Sequence, residues 1–169
     1  YDSRGNLLAK TFPNSTSHQF TYDTKGNLTG ATDANGTIGL TRDSMGRVTG
    51  VSFPGGETVS YQYDAAGNRT GLTYPDGSSL SYVFDSSNRL THINSSGQTV
   101  AGYTYDSMSR VTRRDLQNGT YTTYSYDASG HLLDLYNRKS TTEVISRFSY
   151  TYDTVGNRLT MTTLAGTTQ

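Results

Sequence analysis

Residues 22–29 read YDTKGNLT, and variants of this octapeptide return along the whole chain. Close copies are YDSRGNLL at residues 1–8, YDAAGNRT at 63–70 and YDTVGNRL at 152–159. The opening Tyr-Asp step or its equivalent recurs every 20 or 21 residues, and only the last interval is longer, at 26 residues. Such a period is typical of a repeat array, in which each repeat packs mainly against its neighbours. We therefore predict a single array of eight repeats over residues 1–169, the last one incomplete.

Two positions define the start of each repeat. The second position is always an aspartate, at Asp2, Asp23, Asp43, Asp64, Asp85, Asp106, Asp127 and Asp153. The first position is aromatic in seven repeats, at Tyr1, Tyr22, Tyr63, Phe84, Tyr105, Tyr126 and Tyr152, and Arg42 occupies it in the eighth. We expect these residues to have a structural role.

The aspartate opens a turn signal. A glycine follows it by three residues in six repeats, at Gly5, Gly26, Gly46, Gly67, Gly130 and Gly156, and Asn88 and Ser109 replace it in the other two. Asp-x-x-Gly matches a type I turn, in which the aspartate accepts backbone N–H groups and the glycine takes the left-handed conformation. This combination predicts a three-residue hairpin loop with positive φ at the glycine.

A second turn signal lies about ten residues after the first, for example PDG at 75–77 and SSG at 95–97, and we assign it type I geometry as well. The segment between the two signals alternates, with Tyr61 and Tyr63 on one face and Ser60 and Gln62 on the other. Alternation with one apolar face indicates antiparallel strands. The predicted fold class is all-β, a continuous antiparallel sheet of repeated β-hairpins, about sixteen strands, curved or spiralling, without helices.

A further set of aromatic side chains shares the face of the Tyr-Asp tyrosines. These candidates for stacking on sugars are Tyr61, Tyr82, Tyr103, Tyr124 and Tyr150. The alternative is that their rings pack against each other as ladders within the sheet. A sugar platform must face solvent, whereas a packing ladder must be buried, so exposure distinguishes the two interpretations.

Arginines and an insertion complete the pattern. Arginine follows the turn in five repeats, at Arg47, Arg69, Arg89, Arg110 and Arg158. We expect Arg47, Arg89 and Arg110 to form exposed cross-strand ion pairs with the aspartates of their own turns, the alternative being ligand binding. Residues 136–144, YNRKSTTEV, contain five extra residues and predict a longer surface loop.

Composition excludes several functions. The net charge is zero, which gives no basis for nucleic-acid binding, and no apolar run approaches the roughly 20 residues of a membrane span. There are no cysteines, so disulfides and thiolate metal sites are excluded. His18, His92 and His131 fall at different positions of the repeat, and each turn offers one carboxylate. We therefore expect no metal, no cofactor, no catalytic residue and no enzyme activity, and we expect His131 to be a solvated turn residue.

The recurring motif Tyr-Asp-x-x-Gly-Asn resembles the YD repeat of the rearrangement-hotspot (Rhs) family. That family includes bacterial Rhs toxins, the BC components of insecticidal toxin complexes, and animal teneurins. The resemblance covers essentially the whole chain and implies a strip of hairpins that spirals into a hollow shell, often around a toxin domain. The family's C-terminal core segment, with its Asp-Pro-x-Gly-Leu signature and self-cleaving aspartates, has no counterpart in this sequence, nor does a toxin domain. The chain is expected to be shell wall only, cut from a longer protein.

Two functional hypotheses follow. The first is a non-catalytic scaffold, the wall of an Rhs-type shell that encloses or presents a toxin or effector. Its partners would be the rest of its own shell, neighbouring copies joined through strand edges, and an enclosed toxin domain. The alternative is an extracellular module that binds carbohydrate or mediates adhesion. The family resemblance implies a secreted or cell-surface location in either case.

Overall fold

The computed structural model describes residues 1–168. Every regular element in this range is a β-strand, and no helix able to span a membrane occurs in it. The predicted fold class, all-β and antiparallel with repeated hairpins, is confirmed. The chain divides into two compact units, Tyr1–Ser81 and Tyr82–Gln169. That the eight repeats form one array, and that the sheet curves, stay predictions.

The first unit contains seven strands and the start of an eighth. In chain order they are β1 (Ala9–Thr11), β2 (Ser17–Tyr22), β3 (Leu28–Asp33), β4 (Gly36–Arg42), β5 (Val48–Ser52), β6 (Thr58–Tyr63), β7 (Arg69–Thr73) and β8 (Ser79–Phe84). Each strand pairs antiparallel with the next one along the chain. The closely spaced turn signals dictate this meander, because no segment is long enough for a crossover connection.

The second unit repeats the same plan. Its strands are the end of β8, then β9 (Leu90–Ser95), β10 (Gln98–Tyr105), β11 (Val111–Leu116), β12 (Tyr121–Tyr126), β13 (Leu132–Arg138), β14 (Val144–Tyr152), β15 (Arg158–Thr163) and β16 (Gly166–Thr168). From β9 onward, sequential strands again pair antiparallel. Two turns per repeat therefore generate two strands per repeat, as predicted.

The loop after each aspartate closes through two backbone hydrogen bonds. Asp64 N–H donates to the carbonyl of Asn68 at 3.0 Å, and Gly67 N–H donates to the carbonyl of Asp64 at 3.2 Å. Gly67 has φ of +93°. The strand register shifts between Gln62 and Tyr63, which is the bulge that accompanies a three-residue loop. The positive φ predicted at the glycine of this loop is confirmed, as at Gly26, Gly46, Gly67 and Gly156.

The second turns are not all of one kind, although their sequences predict type I geometry throughout. In the loop at 74–78, the N–H of the fourth residue donates to the carbonyl of the first at 3.0 Å, as type I geometry requires. Ser95, however, pairs directly with Gln98, so only Ser96 and Gly97 form that loop. Their φ values are +49° and +77°. Two residues with positive φ indicate a type I′ turn, so the type I prediction is wrong here.

Each unit has little buried interior. We call the face that carries Tyr61 in the first unit and Tyr124 in the second the aromatic face, and the opposite one the polar face. On the aromatic face Tyr61 lies opposite Leu72, and these side chains are half-buried. Apart from the glycines Gly30, Gly50 and Gly71, only Ala101 and Thr122 are buried in the described chain, with exposures of 8% and 3%. Aromatic and aliphatic contacts between adjacent strands, rather than a second layer, therefore stabilise the sheet.

A polar row interrupts the aromatic face in the second unit. The Arg114 guanidinium donates to Thr122 Oγ1 at 3.3 Å, Thr122 Oγ1 donates to Asn137 Oδ1 at 2.8 Å, and Asn137 Nδ2 donates to Ser146 Oγ at 2.8 Å. These four residues lie on four consecutive strands, β11 to β14. Hydrogen bonding along the row explains why a threonine is the least exposed side chain of the described structure.

The polar face differs between the two units. In the first unit Gly30 and Gly50 are buried under threonines, and a Cβ at either would come within 2.8 or 2.6 Å of Thr21 or Thr41 Oγ1. In the second unit the same face carries large side chains on β11 to β14. The polar face is thus thin in the first unit, whereas on β11 to β14 it is built from large side chains.

The insertion at residues 136–144 is part strand and part loop. Tyr136 to Arg138 belong to β13 and Val144 begins β14, so the loop itself spans residues 139–143. Lys139 N–H donates to the carbonyl of Glu143 at 3.0 Å, and their side chains lie 3.6 Å apart. The extra residues thus lengthen a hairpin that ends in a compact loop.

We expect Gly67→Val to lower the free energy of unfolding by about 1 kcal/mol or more, because a β-branched residue is strained at positive φ. No atom lies within 4 Å of the Cβ position at Gly67, so the effect would be conformational rather than a clash. Gly67→Asn is the matched control, since Asn88 takes φ of +59° at the equivalent position. Urea denaturation of both variants measures the difference, and equal losses would contradict the assigned cause.

Candidate functional site

The most regular constellation of polar side chains is built around the repeat aspartates. At Asp106, Oδ1 accepts the N–H groups of Met108 and Arg110 at 2.9 Å each, and Oδ2 accepts Arg110 Nε at 2.7 Å. We call this arrangement the aspartate bracket: a carboxylate bound to the backbone and side chain of the residue four positions later. All eight repeats have it, with partners Asn6, Asn27, Arg47, Asn68, Arg89, Arg110, His131 and Asn157.

The bracket favours the ionised carboxylate. The pKa of each of the eight carboxyls is lowered from its ordinary value of 3.8. The largest cause is a side-chain donor in six brackets and the backbone N–H of Arg89 or Arg110 in the other two. A carboxylate whose two oxygens accept several hydrogen bonds is a poor general base. The predicted backbone hydrogen bonding of Asp64 and Asp106 is confirmed.

The tyrosine of the Tyr-Asp step connects consecutive repeats. Tyr63 Oη donates to the carbonyl of Val48 at 2.9 Å, and Tyr105 Oη donates to that of Leu90 at 2.6 Å. We call this bond the tyrosine tie. Further ties join Tyr22 to Leu7, Tyr126 to Val111 and Tyr152 to Leu132. The sequence analysis does not predict the tie. The signal for it is that the first position of the repeat is tyrosine in six repeats and phenylalanine in one, since only tyrosine has a hydroxyl to donate.

The two substitutions in the tyrosine column behave differently. Arg42 replaces the phenol with a guanidinium, whose Nε and Nη2 lie 3.4 and 3.3 Å from the carbonyl of Leu28. The substitution thus keeps a donor to the same carbonyl position as in the other repeats. Phe84 has no hydroxyl and can make no such bond.

Arginine in the bracket extends the connection between repeats. Arg110 Nη1 donates to the carbonyl of Asp127 at 2.9 Å, and its guanidinium lies 4.7 Å from the ring centre of Tyr126. Arg47 and Arg89 make the equivalent contacts. About a quarter of each of these side chains is exposed, 24–27%. The predicted ion pairs of Arg47, Arg89 and Arg110 with the aspartates of their own turns are confirmed. Their predicted exposure is wrong, because each arginine is half-buried between two turns.

His131 occupies the same position as these arginines. Its Nδ1 lies 2.8 Å from Asp127 Oδ2, and its ring stacks on Tyr152 with centroids 4.8 Å apart and an interplanar angle of 24°. The prediction of a solvated turn residue is wrong, because imidazole completes the bracket and packs on the next repeat. The sequence signal for this role is that His131 stands at the position where the other repeats have asparagine or arginine.

The candidate sugar-stacking tyrosines are neither fully exposed nor buried. Tyr61, Tyr82, Tyr103, Tyr124 and Tyr150 are all half-buried. The guanidinium of Arg69 lies 5.8 Å from the ring centre of Tyr61, and that of Arg158 lies 5.6 Å from that of Tyr150. Arginine thus takes up ring surface that a sugar would need at two of the five positions. Sugar stacking stays a prediction.

No group of three or more His, Asp or Glu side chains comes together as a metal site within residues 1–168. The brackets and ties instead hold neighbouring turns at fixed positions relative to each other. Their chemistry is that of a repeated structural joint, since the brackets and ties bond groups of the chain to one another.

We expect Tyr105→Phe to lower the free energy of unfolding by about 0.5–1.5 kcal/mol, because it removes one intramolecular hydrogen bond and keeps the ring. Tyr103→Phe is the control, since the structure gives its hydroxyl no bond of this kind. Equilibrium urea denaturation measures both variants. If both variants had the same free energy of unfolding as the parent chain, the tie would make no contribution to stability.

Acid should destabilise the chain through the brackets. Each bracket aspartate has a folded pKa below its unfolded value, so its stabilisation is complete above about pH 4 and is lost as the pH falls through the folded pKa. We expect the urea midpoint to fall steeply below about pH 4. Asp106→Asn removes one titrating group and should make this fall shallower. A midpoint independent of pH over that range would contradict the lowered pKa values.

Comparisons with known proteins agree with this geometry. Residues 1–38 and 42–79 match the family described as RHS Repeat. A comparison with curated proteins finds no match.

Similar folds occur in toxin-complex structures. A chain in the crystal structure of TcdB2-TccC3 has a TM-score of 0.74 at 19% identity, and the match covers 92% of this chain and 10% of that chain. The crystal structure of TcdB2-TccC3-Cdc42 gives 0.72 at 20% identity, over 88% of this chain and 9% of that one. The Photorhabdus luminescens Tc holotoxin pore gives 0.72 at 16% identity, over 96% and 12%. This chain spans about a tenth of the length of those chains.

The family match covers repeats of the first unit, and the same brackets and ties continue through the second unit as far as Asn157. Sequence repeat, turn chemistry and fold therefore agree. Residues 1–38 and 42–79 are therefore RHS repeats, and the rest of the chain resembles them in turn chemistry and fold.

Proposed function

We propose that this chain is a wall segment of an Rhs-type shell, a non-catalytic scaffold that encloses or presents a toxin or effector. The observation that carries the proposal is the tyrosine tie, together with the bracket arginines. Both bind a repeat to the one before or after it, through hydrogen bonds between groups of the chain itself. Polar groups that bond one repeat to the next are what a continuous wall of stacked repeats requires.

The aromatic face supports the same function. Apart from three glycines, only Ala101 and Thr122 are buried among the described residues, so the aromatic side chains keep part of their surface in solvent. An apolar face without a covering layer is typical of a surface that another part of an assembly covers. We propose that the remainder of the shell, or neighbouring copies joined at strand edges, covers it, and that an enclosed toxin domain is a further partner.

The location is proposed on the same basis. The similar chains come from a toxin complex and a holotoxin pore, which supports a secreted or cell-surface setting for this chain. The alternative of a carbohydrate-binding or adhesive module has less support, because Arg69 and Arg158 occupy ring surface at two of the candidate tyrosines.

We expect the isolated 169-residue chain to associate as its concentration rises, because unpaired strand edges and an uncovered apolar face favour pairing with other chains. Static light scattering across a hundredfold concentration range measures the mass. A chain that stays monomeric over the whole range and melts in one sharp transition would show that the fold is self-sufficient. The wall-segment function would then be wrong.

A further inference from the structure

The polar face of β11 to β14 departs from the rest of the repeat. In the first unit the equivalent face is thin, with Gly30 and Gly50 buried beneath threonines. On β11 to β14 it instead carries two tyrosines and three arginines, Tyr121, Tyr136, Arg113, Arg138 and Arg147. These five residues are called the Arg-Tyr surface below. Because the first unit folds without such side chains, the brackets and ties do not require them.

The Arg-Tyr surface has an ordered geometry. The guanidinium of Arg113 lies 3.9 Å from the ring centre of Tyr121. Those of Arg138 and Arg147 lie 4.6 and 4.9 Å from the ring centre of Tyr136. Strand pairing places Tyr121 opposite Arg138 and Tyr136 opposite Arg147. Arginine and tyrosine side chains therefore lie next to each other across neighbouring strands. Each of the two tyrosine rings has at least one guanidinium in contact with it.

Two of the arginines are held by carboxylates and remain accessible. Arg113 binds Asp115 through Nε and Nη2, at 2.8 and 2.6 Å, with 43% of its side chain exposed. Arg147 binds Ser149 through Nε at 2.8 Å and reaches Asp134 at 3.4 Å, with 41% exposed. Both guanidinium groups are oriented before any partner arrives, which reduces the entropy lost on binding.

Arg138 is the cation of this surface whose charge the fold does not balance. Its Nη1 donates to the carbonyl of Thr141 at 3.1 Å, and no carboxylate pairs with it among the described residues. With Asp115 and Asp134 as the two anions, the three arginines leave the surface with one net positive charge. A planar guanidinium between tyrosine rings is suited to bind a carboxylate through two parallel hydrogen bonds.

We propose that the Arg-Tyr surface docks an acidic segment of a protein partner, with Arg138 and Arg147 binding its carboxylates and Tyr121 and Tyr136 packing against its backbone. Arginine and tyrosine are the residue types that protein interfaces select, because they combine large contact area with directional hydrogen bonds. The excess positive charge specifies the acidic partner. This inference does not depend on the shell function, since it rests on side chains that the repeat does not need.

Binding of a fluorescein-labelled octaglutamate peptide, followed by anisotropy at low salt, tests the proposal. The double variant Arg138→Gln with Arg147→Gln should bind about tenfold or more weakly. Arg138→Lys with Arg147→Lys keeps the charge but loses the planar fork, and should give a smaller loss. The control is Arg4→Gln with Lys25→Gln, which removes the same charge at turns of the first unit and should bind like the parent.

Circular dichroism melting of every variant establishes that the sheet is intact. Equal weakening by the control pair would show non-specific attraction and overturn the proposal. So would equal binding of an octaglutamine peptide. Tighter binding of dextran sulfate than of the peptide through the same arginines would assign the surface to an anionic polysaccharide instead of a protein.

Discussion

This structure depends on the hydrogen bonds by which an aspartate carboxylate closes a three-residue loop. Asp64 illustrates them, since one oxygen accepts the N–H of Asn68 and the other accepts that residue's side-chain amide. The loop fixes where one strand ends and the next begins, and the bulge beside it fixes the register. Register in turn decides which side chains share a face. The columns of tyrosine and arginine exist because this loop returns at a nearly constant interval.

The partner in the bracket decides how strongly one repeat is joined to the next. Asparagine completes the bracket of its own turn, as at Asn27 and Asn157. Arginine adds a hydrogen bond to the following turn and a contact with its tyrosine, as at Arg110. His131 adds a stacked ring instead. One position thus adjusts the joint between repeats without altering the loop, because the aspartate accepts the same kind of donor in each case.

The sequence predicts best what short-range chemistry determines. Asp64 and Gly67 define a turn within four residues, so the loop, its positive φ and the hairpin order could be predicted. The tie joins Tyr63 to a carbonyl fifteen residues earlier, and a local pattern cannot reveal it. The polar row was accessible in principle, because Thr122 lies two residues before Tyr124 and therefore on the aromatic face. Residue type alone hides it, because a threonine between tyrosines does not mark an apolar face.

The direction of the tie has a consequence for how such a chain can change its length. Where a tie is present, the earlier repeat offers a backbone carbonyl and the later repeat donates the tyrosine hydroxyl to it. The acceptor is a backbone carbonyl, which every residue has, so any repeat can accept the hydroxyl whatever its side chain at that position. Leu7, Val48 and Val111 are three such acceptors. Recombination that deletes or duplicates a whole repeat therefore joins compatible ends. Unequal exchange between copies can shorten or lengthen the array while the surviving joints stay as they were.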